Sequence, residues 1–273
     1  YPFIPLTINP AAAGASKIFS AKGIFRIKPL FQVIGGASSS QQFMSIDMPL
    51  KKGDWGLGFL GFNTDQSFAT SSGVISSNLG LAAVLSRHWN WGRGHQLSVG
   101  ANSGINQYPI QGRLGTSEML ASVGVGITYR KEALTLGISK PSNRFDGLGD
   151  APLYMQASYY FPVANLHTLK LGTVIRKDQE TKFDLNAVFW YQEKVGVGVW
   201  YQQTGSEFGD PALLGTVEVP LGINFRVGYS YDFLGKNVTT LGSSTTSEAA
   251  GFHQIFISYN LDFGLGKLGQ FRP

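Results

Sequence analysis

The chain has 273 residues, of which 14% are charged and 43% are hydrophobic, and it carries a formal net charge of +5. Ordinary soluble domains contain about 25% charged residues, so this chain is poor in charge, although its mean hydropathy is zero. No apolar run approaches the roughly 18 residues of a membrane-spanning helix. The scattered basic residues predict no nucleic-acid partner, and the absence of cysteine excludes disulfides and thiolate metal sites.

Apolar residues alternate with small or polar residues along most of the chain, which is the pattern of strands whose two faces meet different surroundings. The last predicted strand shows it well, because Ile255, Ile257 and Tyr259 alternate with Ser258 and Asn260. Fourteen strands are predicted, at residues 17–28, 42–50, 54–62, 74–89, 95–106, 119–130, 133–140, 153–161, 169–175, 183–191, 195–201, 213–219, 223–231 and 252–263.

The number and length of these strands favour a transmembrane barrel. Bacterial single-chain barrels have an even number of strands, and a tilted strand needs about 9–11 residues to cross a bilayer. A soluble sandwich or a large ligand-binding barrel would also alternate and is the alternative. We therefore predict an all-β fold, a single antiparallel β-barrel of the outer-membrane type that contacts outer-membrane lipid.

The connections alternate in length, as outer-membrane barrels require of their periplasmic turns and outer loops. With the N-terminus in the periplasm, the short turns at 51–53, 130–132, 192–194 and 220–222 face the periplasm. The long loops at 29–41, 63–73, 106–118, 140–152, 204–212 and 233–251 then face outward, and the short hairpin at 177–182 is the exception.

The long loops hold the candidate partner-binding residues, although a solvated flexible loop is an equally good interpretation of such segments. The candidates are Phe145, Asp146, Leu148, Asp150, Phe208, Asp210, Lys236 and Asn237.

Several charged residues fall on the predicted inner face: Arg26, Lys28, Asp47, Lys170, Arg176, Asp184 and Arg226. They predict either a charged channel lining or an internal salt-bridge network that closes the lumen, and we favour the network.

Other residue patterns point away from catalysis. Gly56, Gly58 and Gly61 lie within a strand, so they relieve crowding inside a narrow barrel rather than bind phosphate. His88 and His95 flank a Trp-rich turn, which favours an interfacial position over metal binding. No catalytic set, cofactor site or metal site is predicted.

Residues 7–14, just before the first strand, read TINPAAAG and include Asn9, Pro10, Ala11 and Gly14. This segment resembles the NPAxAG opening of the PorP/SprF family of outer-membrane proteins. Further segments resemble that family in the same order, at 45–50, 56–58, 182–191, 195–201, 226–232 and 253–259. The resemblance covers nearly the whole chain.

This resemblance implies a non-enzymatic outer-membrane protein that works with the type IX secretion machinery of Bacteroidetes. Members of the family act in the export or surface attachment of large secreted adhesins, including gliding adhesins, through the C-terminal domain of the adhesin. The expected partners are therefore an adhesin or its C-terminal domain and type IX secretion components. A passive diffusion channel, either a porin or a hydrophobic-solute channel, is the alternative.

Three regions are predicted along the chain. Residues 1–16 form an N-terminal periplasmic or lumenal segment, residues 17–263 form the barrel, and residues 264–273 form a C-terminal periplasmic tail. Because the chain begins at Tyr1 with no charged n-region or apolar h-region, we expect a mature protein exported with a cleaved signal peptide.

Overall fold

Fourteen strands close into one antiparallel barrel in the described part of the computed structural model, which confirms the predicted fold. The structure describes residues 3–28, 39–67, 75–92, 94–109, 117–142, 151–164, 166–178, 180–203, 212–234, 236–241, 244–249 and 251–262. The barrel strands are β1 (Phe19–Lys28), β2 (Ser39–Leu50), β3 (Trp55–Ser67), β4 (Ile75–Trp91), β5 (His95–Pro109), β6 (Ser117–Lys131), β7 (Leu134–Lys140), β8 (Leu153–Ala164), β9 (His167–Lys177), β10 (Thr181–Tyr191), β11 (Val195–Gln202), β12 (Ala212–Leu221), β13 (Phe225–Asp232) and β16 (His253–Leu261).

Each strand pairs with its neighbours along the chain, and the first strand closes the barrel by pairing with the last. Ile24 of β1 lies opposite Phe43 of β2 on one side and Phe256 of β16 on the other. Two further strands, β14 (Lys236–Leu241) and β15 (Ser244–Ala249), form a separate hairpin within the long connection between β13 and β16. Closure leaves no unpaired sheet edge, as a strand fold in lipid requires.

The two faces of the barrel differ as the alternation predicts. Outward side chains are apolar and exposed, as for Leu81 at 62% and Val123 at 73%. Their inward neighbours are buried, and many are polar, as for Asn102 and Ser258. The exposed side chains therefore form a continuous apolar belt of the kind that outer-membrane barrels carry on their outer face.

The two ends of the barrel differ in their connections. At the short-turn end, the strands are joined by residues 51–54, 92–94, 132–133, 165–166, 192–194 and 222–224. At the long-loop end, every connection is longer except residues 178–180, which join β9 to β10 as the predicted exception.

Aromatic rings on the outer face meet near both ends of the barrel, as Phe183 and Tyr201 do at the long-loop end with their centroids 5.7 Å apart. Trp91 and Tyr129 lie with their ring centroids 6.5 Å apart, and both rings lie 6.0 Å from the ring of His95. Further round the barrel, Phe225 and Tyr259 approach to 4.7 Å. Such girdles mark the boundary between lipid and water in outer-membrane barrels. His95 lies among these outer-face rings, and its Nδ1 forms a hydrogen bond with the Tyr129 hydroxyl at 2.8 Å.

The helices of the described residues are single 3₁₀ turns at Pro5–Thr7, Pro10–Ala12 and Lys51–Gly53. None is long and apolar enough to span a membrane.

Candidate functional site in the barrel lumen

The N-terminal residues 3–16, called here the lumenal segment, cross the interior of the barrel before β1 begins. Ile4, Asn9, Ala11 and Ala13 have no exposed surface, and Leu6 is 3% exposed. These side chains cannot be buried by the short segment itself. They are buried because the inner faces of the strands surround them, and the lumen is therefore occupied at this level.

Asn9 connects the segment to the barrel wall and also shapes the segment itself. Its side-chain oxygen accepts a bond from the Ala11 N–H at 2.9 Å, which caps the turn Pro10–Ala12. Its amide nitrogen donates to the Ile127 carbonyl at 3.2 Å and to the Thr128 hydroxyl at 3.0 Å. Pro10 suits the first position of this turn because its fixed φ is helical and it has no N–H to satisfy. One buried amide is thus satisfied at both ends.

Glycines on the inner face give the segment room to lie against the wall. A Cβ atom built on Gly100 of β5 would overlap the backbone of Pro10 and Ala11, and one built on Gly126 of β6 would overlap the side-chain oxygen of Asn9. On β3, a Cβ on Gly56 would overlap the Ala13 carbonyl. We call these three residues the glycine groove. Close backbone approach of this kind requires glycine.

The segment leaves the groove through a tight bend at Gly14, which has a φ of +62°. The Gly14 N–H donates to the Asp47 carboxylate at 2.9 Å. One residue earlier, the Ala13 carbonyl accepts bonds from Ser86 Oγ at 2.6 Å and from His88 Nε2 at 2.9 Å. A left-handed φ and the nearby backbone of Met48 both exclude a side chain at Gly14.

His88 lies inside the barrel, so the prediction that it is interfacial is wrong. It is 1% exposed, and its Nδ1 lies 2.7 Å from the Ser98 hydroxyl. Because a carbonyl oxygen only accepts hydrogen bonds, the Nε2 that faces Ala13 carries a proton. The physical reason for its position is the alternation of β4, in which Val84, Ser86 and His88 share the inner face.

An apolar layer fills the middle of the lumen. Ile4, Leu6 and Ile8 of the segment pack with inward side chains of the strands, among them Phe43, Leu60, Phe62, Val84 and Phe256. The ring of Phe3 stacks on Phe256 at 4.5 Å and meets Trp200 edge-on at 5.7 Å. The interior is therefore less polar than predicted, because the segment supplies apolar partners for inward-facing aromatic residues.

The predicted inward charges do point inward where their side chains are described; Lys28 lies outside the residues with a described side chain. Arg26 bonds the side-chain oxygens of Gln254 and Gln41, at 2.8 and 3.2 Å. Arg176 pairs with Asp178 at 2.7 Å, and Arg226 pairs with Glu218 at 3.4 Å. Among the described residues, the apolar layer and the lumenal segment cross the lumen, rather than the salt-bridge network that we favoured.

At the long-loop end, the start of the connection after β7 also enters the lumen. Ser142, just after β7, is buried inside the barrel, and its carbonyl accepts bonds from Ser122 Oγ at 2.8 Å and Asn106 Nδ2 at 3.3 Å. Its N–H donates to Asn102 Oδ1 at 3.2 Å. The connection that follows β7 thus begins within the lumen, on the long-loop side of the glycine groove.

The candidate partner-binding residues fall mostly in segments that the structure does not describe. Phe145, Asp146, Leu148, Asp150, Phe208 and Asp210 lie outside the described residues. Lys236 and Asn237 lie in β14, opposite Ala249 and Glu248 of β15. The motif residues Asn9, Pro10, Ala11 and Gly14, in contrast, all lie in the lumenal segment.

Replacing Asn9 with Ala should loosen the segment without breaking the barrel. The variant loses the cap on Ala11 and both bonds to β6, and it leaves the Ile127 carbonyl buried without this donor, at a cost of about 1–3 kcal/mol. Since ~1.4 kcal/mol changes a population tenfold, proteolytic cleavage within the segment should rise about tenfold or more. The matched control is Asn224→Ala in the turn between β12 and β13. Equal cleavage of the two variants would contradict this role for Asn9.

The sequence model of PorP/SprF, described as a type IX secretion system membrane protein, matches residues 1–259. The chain belongs to the PorP/SprF family. This confirms the resemblance seen in the motif at Asn9–Gly14, which the structure shows to be the part of the chain docked in the groove. No curated protein matches the chain.

Solved outer-membrane barrels share the fold of this PorP/SprF protein at low sequence identity. A FadL homologue from Pseudomonas aeruginosa is 11% identical, with a TM-score of 0.61 and coverage of 93% of both chains. The toluene transporter TodX from Pseudomonas putida is 11% identical, with a TM-score of 0.54 and coverage of 94% of this chain and 93% of the other. Omp33 from Acinetobacter baumannii is 8% identical, with a TM-score of 0.51 and coverage of 91% of this chain and 100% of the other.

Family and fold together identify a secretion-associated barrel of the outer membrane.

Proposed function

We propose that this barrel partners the type IX secretion machinery in the export or surface attachment of a large secreted adhesin, through the C-terminal domain of the adhesin. Family membership supports the link to type IX secretion. The observation that carries the proposal beyond the family is the occupied lumen. A barrel crossed by its own buried N-terminal segment offers surfaces for docking rather than a free path for solutes.

The proposal assigns one partner to each end of the barrel. The short-turn end faces the periplasm, where the turns and the start of β1 meet secretion components. The long-loop end faces outward and holds the adhesin. This orientation rests on the difference in connection length between the two ends.

The β14–β15 hairpin, which carries Lys236 and Asn237, is the part of the proposed adhesin surface that the structure describes. It is rich in Thr and Ser and pairs only with itself among the described strands. An edge with free backbone groups accepts an added strand from a partner. The loop residues Phe145, Asp146, Leu148, Asp150, Phe208 and Asp210 remain proposed contacts of the same surface.

A gentle detergent pull-down of the tagged protein, with mass spectrometry of the bound proteins, tests this function. We expect a large surface protein or type IX components in stoichiometric amount. Replacing residues 236–249 with a Gly/Ser linker should remove the surface protein while the barrel stays folded, because the hairpin makes no ladder with the barrel. Replacement of the turn 192–194 at the short-turn end is the control, and this variant should still bind the surface protein. Recovery of a lone barrel from native membranes would overturn the proposal.

A passive channel is the second candidate. The observation that favours it is a cavity of about 340 Å³ beside the lumenal segment, in a fold shared with proteins described as a toluene transporter and a monoaromatic hydrocarbon channel. It predicts measurable conductance for the intact chain, whereas the secretion-partner function predicts a closed barrel.

A further inference from the structure

The cavity lies between the lumenal segment and the wall formed by β6–β13, β16, β1 and β2. Its volume of about 340 Å³ falls within the ~300–1,000 Å³ typical of small-molecule sites. Ser20, Arg226 and Asn260, which line it, lie near the strand ends at the short-turn end. The cavity therefore opens toward the short-turn end and reaches along the apolar layer to Val174 and Trp200, near the long-loop ends of β9 and β11.

Positive charge dominates the wall. Four basic side chains (Lys22, Arg130, Lys170 and Arg226) and two acidic ones (Asp47 and Glu218) line the cavity, which leaves an excess of two positive charges when all are ionised. Lys22 and Arg226 both lie opposite Ser258, on strands that flank β16. Two strand spacings separate them by about 10 Å, and Lys22 lies within electrostatic range of Asp47, Arg226 and Lys170.

The two lysines have no carboxylate within ion-pair distance among the described residues, although Asp47 acts on Lys22 and Glu218 acts on Lys170 at longer range. Asp47 already accepts the Gly14 N–H, and Glu218 pairs with Arg226, which also stacks 4.7 Å from the ring centre of Trp190. Lys22 has no hydrogen bond or ion pair within 4.0 Å among the described residues, and the recorded contact of Lys170 is with the ring of Tyr160 at 5.3 Å. An ammonium group inside a protein is stable only with a counter-charge or with water.

Further donors surround the same space. Ser45, which lies opposite Lys22 on β2, is 1% exposed, and its hydroxyl has no partner among the described residues. The indole nitrogen of Trp200 is likewise buried without an acceptor in the described part of the chain. The remaining wall mixes polar side chains, such as Gln156 and Asn186, with apolar ones, such as Phe3, Val174 and Phe256. Cations, spare donors and aromatic rings that line one cavity define an amphipathic site.

We propose that this cavity binds a small organic anion, with a carboxylate held between Lys22 and Lys170 and an apolar group packed against Phe3 and Trp200. The carboxylate supplies the acceptor that the two ammonium groups and the Ser45 hydroxyl lack. The apolar group fills the space beside Phe3, where removal of its surface from water favours binding. This site does not depend on the proposed role in secretion.

Fluorine NMR of para-trifluoromethyl-phenylacetate with the full chain in detergent tests the proposal. The neutral para-trifluoromethyl-phenylacetamide has nearly the same shape and controls for partition into the micelle. We expect saturable binding of the acid and binding of the amide that is weaker by about tenfold or more, since a hydrogen bond to a charged group contributes about 1.5–3 kcal/mol. Inorganic phosphate, which has charge but no apolar group, should compete only weakly.

Lys22→Met and Lys170→Met are tested separately, so that a folding failure of one still leaves the other as a test. Each should raise the dissociation constant of the acid about tenfold, while Lys194→Met in an exposed turn should leave it unchanged. Equal affinity for acid and amide, insensitivity to both inner lysines, or no saturable binding of the acid would each overturn the proposal. If phosphate competes as well as the unlabelled acid does, the proposed contact of an apolar group with Phe3 and Trp200 is overturned.

Discussion

Replacing Gly100 with Ala is expected to drive the lumenal segment out of its groove. The added methyl group would overlap the backbone of Pro10 and Ala11, and backbone atoms cannot rotate aside as the end of a flexible side chain can. Overpacking of this kind costs about 1–3 kcal/mol. The wall at Gly100 is bonded to strands on both sides, whereas a few hydrogen bonds hold the segment, so the segment yields first.

The absence of cysteine from the chain provides a direct readout of that displacement. A Thr7→Cys background places one thiol at a position that is 1% exposed, where a water-soluble maleimide should not react. Adding Gly100→Ala or Gly126→Ala should raise the labelling rate about tenfold or more. Gly23→Ala is the matched control, because the atom nearest to its added Cβ, the Phe43 carbonyl oxygen, is 4.0 Å away. Labelling that stays as slow as in the control would show that the groove does not position the segment.

Deletion of residues 1–14 is expected to give the largest change in conductance. It removes Phe3, Ile4, Leu6 and Ile8, which supply the segment's side of the apolar layer. The fourteen barrel strands begin only at Phe19, so the ladder that closes the barrel is unchanged. With the layer gone, water and ions gain the space that these side chains occupied, and the barrel should conduct in a planar bilayer.

The intact chain and a chain lacking only residues 1 and 2 are the controls for this deletion, and both should stay nearly silent. If the deletion leaves conductance unchanged, the segment is not what blocks the lumen. If the intact chain already conducts as well as the deletion does, the passive-channel function is favoured over the secretion-partner function. Folding of each variant is checked by its heat-dependent mobility on a denaturing gel.

The barrel could be predicted from the sequence because each strand shows its own alternation of apolar with small or polar residues. Leu79, Leu81 and Leu85 of β4 alternate with small or polar residues, and a strand pairs with the next one along the chain, so local pattern and topology agree. The extra β14–β15 hairpin falls in a stretch predicted as a loop, because a Thr- and Ser-rich stretch has no apolar face to mark a strand.

The docked segment could not be predicted in the same way. Its residues follow neither a helical nor a strand period, and its burial depends on partners more than 30 positions away, such as Asp47, Ser86 and Thr128. The resemblance identified Asn9, Pro10 and Gly14 as a motif, but it gave no contact for them. Inward apolar residues such as Phe43 and Phe62 were signals that something apolar fills the lumen. The inward position of His88 could have been predicted by continuing the inward–outward alternation of β4 from Val84 and Ser86 to residue 88.

The position of the lumenal segment also constrains how the barrel is assembled. The segment contacts strands from β2 to β7, while Phe3 at its far end touches Trp200 of β11 and Phe256 of β16, the strand that closes the seam with β1. A seam that closes before the segment enters would force the chain end to thread a finished cylinder. The wall is more simply built around the segment, which then acts as an internal template. On that basis, we expect variants that weaken its docking to slow the insertion of the barrel as well as to open it.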